Sequence, residues 1–344
     1  EDIEASLEVV TPVDADVELR RVTLRNYGDR PRRIELTSYA EVVLNTQAAD
    51  AAHPAFSKLF VQTEFDAASG ALLARRRPRA PSEPTCWLVH ALIGGSGIEP
   101  LQYETDRARF IGRGYSLAAP KALTDAAPLS GGVGNVLDPI VSLRQTVELA
   151  ADGMVQLTFL LGAAPDREAA LALAARFAKP AAIEAAFQAA EGGVGRFDSL
   201  TSNLSPTKGE GSQVSLPAIA LPHDEPLQFW NGYGGFSADG TEYVIRLQPD
   251  ANGRLRLPPL PWVNVVANPH FGFLASETGA GYTWSQNSRE NRLTPWSNDP
   301  ILDPHGEALY LRDEASGAFW SLQPGPISQP APYEIRHGFG YSHY

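Results

Sequence analysis

The run Ile34-Glu35-Leu36-Thr37-Ser38-Tyr39-Ala40-Glu41-Val42-Val43-Leu44 decides the fold class. Ile34, Leu36, Ser38, Ala40, Val42 and Leu44 alternate with Glu35, Thr37, Tyr39, Glu41 and Val43. Successive side chains of a strand point to opposite faces, so this period of two predicts an antiparallel strand with one buried face.

The same signal recurs at Val17–Asn26, Lys58–Phe65, Trp87–Ile93, Val141–Leu149 and Met154–Leu161. Between Leu19 and Val22 the apolar register slips by one, which predicts a β-bulge. Asp152-Gly153 separates the last two runs and predicts a hairpin. Many strands without intervening helices mean a sandwich rather than a βαβ fold.

Residues 166–191 change character. Asp166 is placed to cap a helix carrying Ala170, Leu171, Ala174 and Phe177 on one side. Pro180 stands where a second helix would start and Gly192-Gly193 where it would stop. Gly192 to His223 holds Ser, Thr, Pro, Gly and Lys without periodicity and reads as a linker. From Leu227 β signals return with many aromatics. The expected division is therefore 1–165, a first β-sandwich; 166–191, a helical segment; 192–226, a linker; and 227–344, a second β region.

The 344 residues are enough for two domains of ordinary size. Thirty Gly and 28 Pro point to many turns, in keeping with short strands. A net charge of −12 and a pI near 5.1 argue against nucleic acid or an anionic membrane surface as partner. The basic run Arg75, Arg76, Arg77, Arg79 is the local exception and reads as a solvated strand end. No stretch approaches the ~20 apolar residues that span a bilayer, so direct membrane insertion is not expected. Cys86 is the sole cysteine and lies in an apolar run, the setting of a buried, inert thiol. The seven His are scattered without metal-ligand spacing, and neither a phosphate loop nor a GxSxG elbow is present. No metal or cofactor is expected. Glu1 opens directly into an alternating run, and the chain ends among strand-like aromatics at Tyr344. Both ends therefore read as cuts within a larger protein.

Glu277, Glu290, Asp299 and Asp303 lie near aromatics, but a glycosidase needs two carboxylates facing one bond, roughly 5–9 Å apart. Sequence does not show that any two converge. The segment from Gly279 to Pro300 stands above this background because it mixes flat aromatic faces with Asn, Arg and Gln. Sugars offer apolar C–H faces and hydroxyl rims, which suit aromatics beside planar hydrogen-bonding groups. Its candidate contact residues are Trp284, Arg289, Asn291, Arg292, Trp296 and Asn298. A structural alternative stays open, in which Arg292 pairs with a nearby acid and Trp296 packs beneath Pro295 and Pro300.

Phe229-Trp230-Asn231-Gly232-Tyr233-Gly234-Gly235-Phe236 and Glu242-Tyr243-Val244-Ile245 resemble the start of the sandwich in glycoside hydrolase family 94, formerly glycosyltransferase family 36. Pro261 to Pro269, Ser288 to Trp296, Leu309 to Asp313 and Arg336 to Tyr341 are similar to its cyclic β-1,2-glucan synthase branch. Arg20 to Leu24, Thr37 to Leu44, His53 to Phe60, Thr105 to Phe110 and Leu137 to Ile140 resemble the earlier sandwich of that branch.

The resemblance implies a mainly β chain with two galactose-mutarotase-like supersandwich regions, the second incomplete, joined by a short helical insert and linker. It further implies a parent enzyme on the cytoplasmic side, attached to the inner membrane, that builds β-1,2-glucan rings from UDP-glucose. In that family the sandwich precedes an (α/α)6 catalytic barrel, which this chain lacks, and a long helical stretch separates the two sandwiches. No catalytic residue is carried over. The expected partners are a glucan or oligosaccharide, β-1,2-linked, and the parent's catalytic barrel. The leading expectation is thus a non-catalytic sandwich portion of a glucan-processing enzyme. Alternatives are a free-standing carbohydrate-binding module or a small inverting glycosidase.

Overall fold

The computed structural model describes residues 3–78, 80, 85–95, 97–125, 127–192 and 226–344; most of the expected linker lies outside them. Strand accounts for 42% and helix for 14%, so the chain is mainly β as expected. All strand pairing is antiparallel, in three sheets.

The largest sheet has ten strands in the spatial order Gly234–Phe236, Tyr243–Leu247, Tyr333–His337, Tyr341–His343, Ile3–Val10, Val17–Asn26, Met154–Ala164, Trp87–Gly94, Ala71–Arg76, Val61–Asp66. A five-stranded sheet runs Phe319–Ser321, Glu307–Asp313, Arg32–Glu41, Pro139–Leu149, Gln102–Asp106. Val263–Ala267, Phe271–Ser276 and Gly281–Ser285 form a separate three-stranded sheet.

Strand pairing runs across the division expected from the sequence. Val9 lies opposite Ser342 in one sheet, and Ala40 lies opposite Glu307 in the other. The stretches on either side of the linker therefore share sheets instead of closing one sandwich each. Their side chains also share one core, in which Leu7, Val22, Leu36, Leu143 and Leu157 pack with Phe273, Leu309 and Leu311. Each such buried side chain contributes roughly 1.5–3 kcal/mol, so neither stretch would keep its core without the other.

The helical segment forms as expected. Asp166 accepts a hydrogen bond from the Ala169 amide at 2.8 Å, and helices span Arg167–Phe177 and Pro180–Gly192. Ala170, Ala174, Phe177, Ile183 and Phe187 cover Val17, Leu19, Val89 and Leu160 on the outer face of the ten-stranded sheet.

Four local expectations are corrected. The strand Val17–Asn26 has no bulge: it pairs in unbroken register with both neighbours. Its apolar pattern slips because Val17 and Leu19 face the helices, whereas Val22 and Leu24 face the inter-sheet core. The Asp152-Gly153 turn is an arch, not a hairpin, since the strands it joins lie in different sheets. Asn26 holds the arch: its side-chain Nδ2 donates to Ala150 O at 3.0 Å and its backbone amide donates to Gly153 O at 2.9 Å. The strand Arg32–Glu41 is buried on both faces, because Phe110, Ile111, Ala122 and Leu123 pack on Tyr39 from outside. Lys58 ends a short helix, Pro54–Lys58, ahead of the strand Val61–Asp66. The basic run keeps its expected solvated character at Arg75 and Arg77, which are exposed, while Arg76 is half-buried; the Arg76 and Arg77 guanidinium groups lie over the Phe60 ring and that of Arg75 over Trp87. Arg79 lies outside the described residues. No described helix is long and apolar enough to cross a membrane.

Candidate functional site

The strand Gly281–Ser285 obeys the period of two, and its two faces do different work. Thr283 points inward. Its hydroxyl lies 2.9 Å from a carboxylate oxygen of each of Glu18 and Glu307, in the middle of the molecule. Tyr282 and Trp284 point the other way. Directly paired residues of an antiparallel ladder share a face, so Val265, Leu274 and Tyr282 line up across the outer side of the three-stranded sheet. Ala267, Gly272 and Trp284 form the next row.

Gly272 is required there by close approach. A Cβ added to it would sit 2.5 Å from Trp284 Cζ2 and 2.7 Å from Ala267 Cβ. The Trp284 indole therefore lies against the strand backbone. Its ring centroid is 5.2 Å from that of Tyr282, and the Tyr282 ring stacks on Trp296 at 5.6 Å and 22°. Trp284, Tyr282 and Trp296 make a continuous aromatic row in which both tryptophans are half-buried and Tyr282 is covered between them.

Arg292 supports this row from within. It is 4% exposed, its guanidinium lies 4.9 Å from the Tyr282 ring centroid, and Nη1 donates to Trp296 O at 2.6 Å. Arg292 thus holds Trp296 relative to Tyr282, by way of a carbonyl and a ring face rather than an acid. The Trp296 ring stacks on that of Tyr282.

The loop between Trp284 and Arg292 carries the remaining polar candidates. Gln286 adopts a left-handed conformation at φ 62°, and Asn287 Oδ1 accepts from the amides of Arg289 at 2.9 Å and Glu290 at 3.1 Å. The loop is fastened to the first stretch of the chain: Gln47 N donates to Arg289 O at 2.8 Å and Arg292 N to Asn45 O at 3.0 Å. Arg289 extends into solvent, 78% exposed, with its Nε 3.4 Å from the Glu290 carboxylate. Asn291 is half-buried and, with Asn45, Thr46 and Glu290, lines a groove of about 500 Å³. Asn298 is exposed in a left-handed conformation at φ 52°, two residues beyond Trp296.

The structure therefore brings Trp284, Arg292 and Trp296 together, puts Arg289 and Asn291 on the adjoining loop, and sets Asn298 at the far end. Sequence reasoning missed Tyr282, the central ring, although its position two residues before Trp284 on one strand face was a usable signal. Asn45, nearly 250 positions away, had none.

The four carboxylates near these aromatics each have a structural partner. Glu277 accepts from the Trp262 amide at 2.7 Å, and burial raises its carboxyl to about pH 7. Asp303 accepts from the Ser276 hydroxyl at 2.9 Å and the Thr278 hydroxyl at 2.5 Å. Asp299 caps the following turn, accepting from Ile301 N at 2.9 Å and Leu302 N at 3.1 Å. Glu290 pairs with Arg289. Cys86 is half-buried at the edge of the groove beside Asn291 rather than fully enclosed as expected, and desolvation pushes its thiol up to about 11, which suits an inert group. Among the described residues no cluster of His, Cys, Asp and Glu could hold a metal ion.

Comparison with known proteins gives a consistent result. Residues 1–180 and 241–344 match the family model described as "Glycosyl hydrolase 94, supersandwich domain". The cyclic beta-(1,2)-glucan synthase NdvB of Rhizobium meliloti (strain 1021) is 29% identical over 520 residues, covering 100% of this chain and 18% of the relative. That alignment is longer than the chain, so the relative carries internal stretches that this chain lacks. N,N'-diacetylchitobiose phosphorylases of Vibrio proteolyticus and Vibrio furnissii are each 35% identical over 113 residues, 32% of this chain and 13% of the relative. The chain thus spans less than a fifth of the length of each of these relatives.

Proposed function

The chain belongs to the glycosyl hydrolase 94 supersandwich family, and from that premise we propose that it is the non-catalytic sandwich portion of a glucan-processing enzyme, with the Trp284–Tyr282–Trp296 row as a glycan-contact face. The observation that carries the reading is the row itself: three flat rings packed side by side, the two tryptophans half-exposed at its ends, with Arg289 and Asn298 exposed on the loop segments that follow Trp284 and Trp296. A pyranose ring laid on Trp284 or Trp296 would bury its C–H face, and its hydroxyl rim would meet the guanidinium and amide groups alongside. Arg292 acts through Trp296. The ligand class follows from the relatives named for cyclic beta-(1,2)-glucan and N,N'-diacetylchitobiose. The partner within the parent enzyme would be its (α/α)6 barrel, and a cytoplasmic setting with membrane attachment of the parent belongs to the same proposal.

Two measurements test it. Calorimetric titration of the 344-residue chain with linear β-1,2-glucan should detect binding that Trp284→Ala and Trp296→Ala each weaken about tenfold. Unchanged affinity in both variants rejects the contact face. Incubation with UDP-glucose, or with glucan and phosphate, should yield no product. Turnover that survives repurification and disappears on replacing one carboxylate rejects the non-catalytic role.

A further inference from the structure

The strand Val263–Ala267 is an outer member of the three-stranded sheet, paired on one side only among the described residues. In an antiparallel ladder alternate residues direct N–H and C=O toward the partner strand. Two bonds fix the phase here: Asn268 N to Phe271 O at 2.9 Å, and Glu277 N to Trp262 O at 3.2 Å. Trp262, Asn264, Val266 and Asn268 therefore bond inward, and the peptide groups of Val263 and Val265 face the open edge. Their side chains are 44% and 56% exposed, and no charged residue guards the strand.

A groove of about 620 Å³ runs along that edge, within the range of small-ligand sites. Its opposite wall is Glu242, Tyr243 and the turn His337–Phe339. Rings line it. Trp262 meets Tyr243 edge-on at 5.7 Å and Tyr243 meets Phe236 at 5.0 Å, while Phe339 stands 83% exposed at the rim. Glu242 is fixed as an acceptor by Arg336 Nη1 at 2.8 Å and the Tyr341 hydroxyl at 2.9 Å. No Lys or Arg lies among the lining residues, so the groove offers nothing to neutralise a phosphate or carboxylate.

Its width is also set. Asn264 Nδ2 donates to Gly338 O at 3.1 Å and Tyr341 O at 2.9 Å, so a single side chain spans the floor from one wall to the other. An added polypeptide strand would need about 4.8 Å on each side of itself, close to 10 Å between the walls. A pyranose standing on edge needs less.

We propose that this groove is a second saccharide-binding site, taking a short uncharged oligosaccharide with its hydroxyls on the free peptide groups of Val263 and Val265 and a ring face on Phe339. The choice of a saccharide rests on the glucan-processing reading above; the shape and neutrality of the groove do not.

The test is titration of the 344-residue chain with a linear β-1,2-gluco-oligosaccharide and, separately, a chito-oligosaccharide, followed by calorimetry and ligand-observed NMR. The expected result is two binding events with one of these sugars. Phe339→Ala, at an exposed turn, should weaken one event about tenfold and leave thermal melting unchanged. Phe236→Ala should act on the same event. Trp284→Ala with Trp296→Ala should remove the other event alone. Sugar binding that survives both phenylalanine variants overturns the second site while leaving the aromatic row intact. Loss of only the phenylalanine-dependent event, with the tryptophan variants silent, keeps the groove and rejects the row. No binding of either sugar by the parent chain overturns both. Self-association abolished by Val265→Lys, without a response to sugar at the phenylalanines, assigns the edge to protein pairing and overturns the proposal.

Discussion

Arg20 and Glu307, 287 residues apart in the chain, form a buried ion pair that joins the ten-stranded sheet to the five-stranded one. Glu18 closes the cluster from the other side, its carboxylate 2.5 Å from Arg20 Nε, and Thr283 adds the three-stranded sheet. Burial raises the Glu18 carboxyl against the pull of Arg20. Burial also acts on Glu307, but Arg20 and the hydroxyls of Thr294 and Thr283 outweigh it and hold that carboxyl below its ordinary range. All three sheets thus meet at one cluster of a guanidinium, two carboxylates and a hydroxyl.

Removing that guanidinium leaves two enclosed carboxylates uncompensated. Arg20→Met is expected to lower unfolding free energy by about 3–5 kcal/mol. Urea denaturation at pH 7 measures it, and a loss below about 1 kcal/mol would show that the sheets do not depend on the cluster.

His90 is enclosed between Ser38 Oγ at 2.7 Å and Leu160 O at 2.9 Å, a pairing that suits the neutral ring with its proton on Nδ1. Burial depresses its pKa to about 4. The unfolded chain takes up the proton first as pH falls, so the contribution of His90 is whole above about 6.5 and is lost between there and 4. The deficit of a His90→Gln variant should shrink by about 2–3 kcal/mol over that window. Parallel stability curves for the two proteins would exclude this.

Glu277 works in the opposite sense. Its folded pKa of about 7 lies above the ordinary 4.5, so protonation favours the fold. That contribution is whole below 4.5 and is lost as pH rises to 7. Glu277→Gln keeps an acceptor for the Trp262 amide and removes the buried charge. Relative to the parent, it should gain about 2–3 kcal/mol between pH 4 and pH 8. Chemical denaturation at the two pH values decides it, and no relative gain would refute the assignment.

Gly272→Ala places a methyl group where the Trp284 ring lies, 2.5 Å from Cζ2. The indole must lift from the sheet. Red-shifted tryptophan emission and weaker glucan binding are expected, with a stability loss of about 1–3 kcal/mol. A crystal structure of the variant with the Trp284–Tyr282 contact unchanged would contradict the reading of that close approach.

Arg292 and Trp296 should separate support from contact. Arg292→Ala removes a buried guanidinium with a carbonyl and a ring face as partners, at an expected cost of about 2–4 kcal/mol. Trp296→Ala removes a half-exposed ring and should cost about 1–2 kcal/mol while weakening glucan binding more. Thermal melts and calorimetry on both variants check this; the reverse order of stability would make Trp296 the structural residue.

Local order was legible in the sequence because it depends on near neighbours. The period of two announced the strands, Asp166 announced its helix, and the alternation of Tyr282 with Trp284 put both rings on one face. Partnership was not legible. Asp152-Gly153 has the chemistry of a hairpin, yet the strands on either side enter different sheets, because each finds a better-covered partner far along the chain: Met154–Ala164 beside Val17–Asn26, and Pro139–Leu149 beside Arg32–Glu41. The slip between Leu19 and Val22 imitates a bulge, and only the helices packed outside and the charges buried inside explain it. Arg292 looks in sequence like a surface cation of a polar loop, and enclosure by Asn45, Tyr282 and Trp296 makes it a strut. Periodicity reports which way a side chain points from its own backbone; whether it meets solvent, a ring or an opposite charge there depends on segments brought alongside from 100 to nearly 300 residues away, and only the tertiary structure decided that.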